Sequence, residues 1–138
     1  MATDIWERCN AIEECYEFML AYAAQGLPSD KSSPRVREFL HRAVKALCGL
    51  ASCFATTVQE AGLEPIERYL VFLDVLHRDS EDSAAAMELV LAQPAISSQL
   101  IDNLNASIHL RALLTDLFFL GEILRTQPTL EATTACGI

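Results

Sequence analysis

An all-α fold is what this sequence predicts, and three observations predict it. Apolar residues recur at three- and four-residue spacings through most of the chain, the repeat of a helix turning about 100° per residue. No stretch alternates polar and apolar residues, and no Asn-Gly or Asp-Gly pair marks a hairpin. Gly26, Pro28, Gly62, Pro65 and Pro94 fall between the periodic segments, where they punctuate helices. The chain has 138 residues, 51% of them hydrophobic, enough for one domain with its own core. The expectation is a single-domain antiparallel helical bundle of about five helices over residues 1–127, with an apolar C-terminal helix at its centre. The aperiodic residues 128–138 are expected to form a flexible tail.

The first predicted helix runs from Thr3 to Gln25, with Ile5, Cys9, Ile12, Tyr16, Met19, Leu20 and Ala23 on its apolar face. Gly26 fits a left-handed residue after the helix, and Pro28 prevents continuation. The second runs from Pro34 to Ala61, with Ser33 as N-cap and Pro34 at the first position. Gly62 closes it. The third starts at Pro65 and ends at His77. Asp79 or Ser80 is expected to cap a short fourth helix, Glu81 to Ala92, which Gln93-Pro94 breaks. The fifth spans Pro94 to Gln127 and is apolar around most of its circumference, especially over Leu110 to Leu124. Only a narrow polar stripe interrupts it: Asp102, Asn105, His109 and Asp116. A helix apolar on nearly all sides must be covered by protein, either its own chain or a second subunit.

The formal net charge of −9 sets the sequence against phosphates, so neither nucleic acid nor an anionic membrane surface is an expected partner. The fifth helix carries Arg111, Asp116 and Glu122 within its apolar run, too many charges for a membrane span. The polar, acidic start MATDIWERCN does not resemble a secretory leader. Five cysteines, with no C-x-x-C, diverge around their helices and fit reduced thiols in a cytoplasmic protein. Cys136 stands third from the end, whereas a prenylation box needs it fourth.

Each candidate site has a plainer reading in the same residues. Glu38-x-x-His41 has the spacing of di-iron bundle ligands, and Asp74-x-x-His77 is a shorter-armed version; Glu13, Glu17, Asp116 or Glu122 could complete such a set. Glu38, however, points about 180° from the apolar face of its helix, so no metal or cofactor is expected. An exposed His41 suggests a histidine phosphotransfer module, but Val44 and Lys45 stand where that motif needs lysine and glycine. Half of the basic residues gather between Lys31 and Lys45. With the free N–H groups at the helix start, Ser33, Arg35 and Arg37 could hold an anion. The same cations could pair with the acidic side of the first helix. The stripe Asp102, Asn105, His109 and Asp116 is the best ligand-binding candidate if it faces a pocket, and a solvent edge if it faces water. No catalytic residue set stands out.

The expected function is therefore non-enzymatic: a helical-bundle protein acting through protein–protein interaction, as a homodimer and with a second protein as a further partner. The alternative is a small-ligand or metal-dependent helical-bundle enzyme using His41, His77 or His109 with nearby carboxylates.

Overall fold

The computed structural model describes residues 2–127 and contains α-helices and no strand among them. In chain order these are α1 (Ala2–Ala23), α2 (Arg35–Leu47), α3 (Leu50–Glu60), α4 (Ile66–Leu91), α5 (Ser98–Ala106) and α6 (Ile108–Arg125). The expected tail, 128–138, lies outside the described residues.

Three boundaries differ from the sequence expectation, each for a physical reason. The second predicted helix is broken into α2 and α3 at Gly49, whose φ of 79° is left-handed and ends the helix there. Arg8 of α1 stabilises the break by donating to the carbonyl oxygens of Ala46 and Cys48, which the interrupted helix leaves without helical donors. The third and fourth predicted helices are one helix, α4. No glycine or proline lies between His77 and Leu91, and Ser80 and Ser83 turn inward instead of capping. The Ser83 hydroxyl donates to the carbonyl of His109, 2.9 Å away on α6. The fifth predicted helix is two helices. Ser107 is extended (ψ 146°), and its hydroxyl accepts from Leu110 N–H, the mark of an N-cap. Ser97 caps α5 in the same way, accepting from Leu100 N–H. Ser33, by contrast, makes no capping bond to α2.

The helices share one hydrophobic core. α1 packs chiefly on α2 and α5, and α4 touches α2, α3, α5 and α6. α4, at about 39 Å, is the longest of them. The expected central position of the C-terminal helix is corrected: α6 packs chiefly on α4 and α5, and Ile108, Phe118 and Phe119 are exposed on it. Its apolar girth exceeds what the other described residues cover. On α1 the buried stripe is Ile5, Cys9, Ile12, Cys15, Met19 and Tyr22, whereas Leu20 is exposed and Tyr16 half-buried.

A buried polar network fastens the α1–α2 loop to the α4–α5 loop. Tyr22 donates to the Ile96 carbonyl at 2.6 Å, and the Ser98 hydroxyl donates to the Tyr22 carbonyl at 2.6 Å. Asp30 accepts from Arg37 Nε at 2.6 Å and from Ile96 N–H at 3.0 Å. Arg37 also donates to the carbonyls of Leu91 and Gln93. This satisfies the end of α4 and fixes both loops without further secondary structure.

Candidate functional site

The break at Ser107 divides the polar stripe. Asp102 is exposed on α5, in a shallow hollow with Tyr16, Leu20, Asn105, Ala106 and Arg111. Asn105 is buried and donates from Nδ2 to the Met19 carbonyl at 3.2 Å, so it holds α5 to α1. His109 is exposed in the first turn of α6. Asp116, 7% exposed, faces α4 beside Asp79. Asp102 and Asn105 thus share a hollow, while His109 and Asp116 lie apart from it.

Asp116 is a strongly perturbed carboxyl beside Asp79 of α4. Burial pushes the Asp116 carboxyl up to about 7, and the neighbouring Asp79 carboxyl pushes in the same direction. Once protonated, Asp116 can donate a hydrogen bond to Asp79. Nothing in the local sequence around either residue signals this pairing, because it joins two helices far apart in the chain.

The basic residues of the proposed anion site have other engagements. Arg37 is held by Asp30 and the carbonyls at the end of α4. Arg35 lies over the rings of Phe18 and Phe39, at 5.9 and 5.4 Å from their centroids. Ser33 is half-buried just before α2. Further along, Arg42 pairs with Glu14 of α1 at 3.2 Å. His41 and His77 are exposed, and His77 meets Glu81 one turn on. No group of three or more His, Cys, Asp or Glu side chains among the described residues is placed to hold a metal ion.

The thiols are of two kinds. Burial pushes Cys15 up to about 12 and Cys53 up to about 11, and Cys53 also donates to Asp4 Oδ2 at 3.1 Å. Neither is an activated nucleophile. Cys48 is exposed because it falls at the α2–α3 break.

The feature that local sequence patterns concealed is a groove. α1 and α6 do not pack closely, and between them lie Ile12, Tyr16, Leu20, Leu114, Leu117 and Phe118. Glu13 and Glu17 of α1 form one rim. The groove encloses about 210 Å³, below the ~300–1,000 Å³ of a small-molecule pocket and open along one side. Oε2 of Glu13 is buried and accepts no hydrogen bond. Burial raises the pKa of Glu13, and the neighbouring Glu17 and Glu14 raise it further. One signal of the groove was present in the sequence. Tyr16 and Leu20 widen the apolar arc of α1 beyond the stripe Cys9–Ile12–Cys15–Met19, and Phe118-Phe119 does the same on α6.

No helix among the described residues is long and apolar enough to cross a membrane. No family model, curated protein or solved structure matches this chain.

Proposed function

We propose that this chain is a non-enzymatic helical protein, an antiparallel bundle left open along one side, that works by binding protein. α6 and the groove beside it are the contact surface, and a second copy of the chain is among its partners. One observation carries the reading: Phe118 and Phe119 stand 58% and 53% exposed, next to a groove lined by Leu114 and Leu117. Large apolar side chains grouped beside an apolar hollow mark contact surfaces, and aromatic residues dominate the centres of such interfaces.

Light scattering across a concentration series tests self-association. Phe119 lies on the α4 side of α6, its ring 5.2 Å from that of Phe72 and outside the groove lining. The expected result is a dimer at tens of micromolar, on the order of −7 kcal/mol of association free energy, and a monomer for Phe119→Glu. A wild-type chain that stays monomeric up to about 100 µM would remove the homodimer.

A second reading, a small-ligand or metal-dependent enzyme, draws on Asp116, because strongly perturbed carboxyls gather at catalytic sites. Asp116, however, lines neither the groove nor the hollow, and the three histidines are exposed on separate helices. Stoichiometric iron, manganese or zinc in protein purified without chelator would revive its metal form.

A further inference from the structure

The groove between α1 and α6 carries chemistry that an apolar surface alone does not need. Of the other acidic residues of α1, Asp4 pairs with Arg8 and Glu14 with Arg42, while Glu7 lies away from the groove beside Arg8, Arg42 and Lys45. Glu13 and Glu17 line the groove one helical turn apart, and no ion pair among the described residues reaches either. Like charges at that spacing repel, and a buried acceptor without a donor costs stability. Both costs are relieved by a cation that arrives from outside. We infer that the groove takes a basic amphipathic helix of another protein, whose apolar side lies on Ile12, Leu114, Leu117 and Phe118 and whose lysine or arginine meets Glu13 and Glu17.

The dimensions agree with that occupant. From Ile12 to Leu20 the groove runs about 12 Å, and Tyr16 and Leu20 carry it into the hollow that ends at Ala24, about 18 Å in all. That is about three turns of helix, the length over which anchors at i, i+3, i+4 and i+7 seat in a groove. Where the seat runs into the hollow, Arg111 is accompanied by Asp102, and no cation is among the residues lining the groove beside Glu13 and Glu17. A second copy of this chain is a poorer fit. A two-fold interface sets the same patch against itself, which brings Glu13 and Glu17 towards their own duplicates. Phosphate-bearing partners meet the same repulsion.

The inference rests on the protein-binding reading above and adds the partner's chemistry. Its test uses the full chain and two fluorescent probe peptides of about 18 residues, long enough to form helix. They share one apolar face of leucine and phenylalanine and differ only in carrying lysine or glutamate beside it. Exchanging lysine for glutamate turns attraction at the rim into repulsion, so the lysine peptide should bind about tenfold more tightly. Glu13→Gln/Glu17→Gln should bring the two peptides within about twofold of each other. Glu60→Gln/Glu67→Gln removes equal charge from exposed positions off the groove, and should leave the preference intact. Phe118→Ser should weaken both peptides. Equal binding of the two peptides by the wild type, or a preference that survives Glu13→Gln/Glu17→Gln, overturns the inference while leaving an apolar docking surface. Dimerisation that the lysine peptide competes away assigns the groove to a second copy and also overturns it. Binding of neither peptide by a monomeric chain sinks both this inference and the protein-binding reading.

Discussion

Asp116 is a buried carboxyl on a helix whose other buried residues are all leucine, and its neighbour is another carboxyl, Asp79. Its folded pKa, about 7, stands well above the unfolded value near 3.8. The native state therefore keeps a proton that the unfolded chain has lost, and stability falls as pH rises from about 4 to about 7, then levels. The sign is opposite to that of a salt-bridged carboxylate. Asp116→Asn keeps the shape, lets the amide donate to Asp79 and removes the titration. Its expected effect is a gain on the order of a few kcal/mol at pH 8 and little change at pH 4, read from thermal or urea unfolding at both pH values. A variant less stable than wild type at pH 8 would show that the carboxyl pair is held by contacts stronger than its burial cost. The thiols need no such test to be placed: burial keeps Cys15 and Cys53 protonated, so their role is packing.

At the scale of elements, the informative residues are those that stop helices. Gly49 is left-handed, and a Cβ there would meet only Arg8 Nη2, at 4.0 Å. The cost of a side chain at this position is therefore conformational and not steric. Gly49→Ala should destabilise the protein by about 1 kcal/mol in urea unfolding, the left-handed penalty partly offset by a stiffer unfolded chain. Arg8→Met should cost about 1–3 kcal/mol, because the carbonyls of Ala46 and Cys48 lose their donor. Equal stability of Arg8→Met and wild type would mean that water serves those carbonyls as well as Arg8 does. The same residues show what was legible in the sequence. Gly26 and Gly62 mark helix ends in sequence and structure alike, because no apolar repeat crosses them. Gly49 and Ser107 sit inside unbroken apolar repeats, so the repeat concealed two breaks. Asp79-Ser80 looked like a cap, yet the serines face inward and the helix runs through. The site was less legible than the fold for the same reason. A stripe drawn on one long helix put Asp116 with Asp102, whereas the turn at Ser107 sends one to α4 and the other to a hollow. Asp116 acquires its character from burial and from Asp79 on another helix, and no local pattern encodes that.

Across the whole molecule, packing is uneven. α1 lies against α2 and α5, and the Tyr22, Ser98 and Asn105 hydrogen bonds pin its C-terminal half. α6 is held chiefly by α4 and α5, and is left open on the groove side. Surfaces that bind partners come from the less stable part of a fold, because a fully buried element has nothing to offer. α6 should therefore open below the global unfolding free energy. Its packing against α4 includes the Asp79–Asp116 pair, so that opening should itself depend on pH. Above pH 7 an opened α6 lets Asp116 ionise in water, and closing it again restores the burial cost. Native-state hydrogen exchange should show amides from Leu117 to Leu124 exchanging at a lower opening free energy than those from Ile12 to Tyr22. Both opening free energies should fall together between pH 5 and pH 8 once intrinsic exchange is corrected, because Asp116 leaves its burial in either opening. Asp116→Asn should remove that fall from both segments and leave the gap between them open. Two segments that exchange at one common free energy at both pH values would mean that α6 unfolds only with the whole chain. The open side of the molecule would then be a rigid, preformed groove.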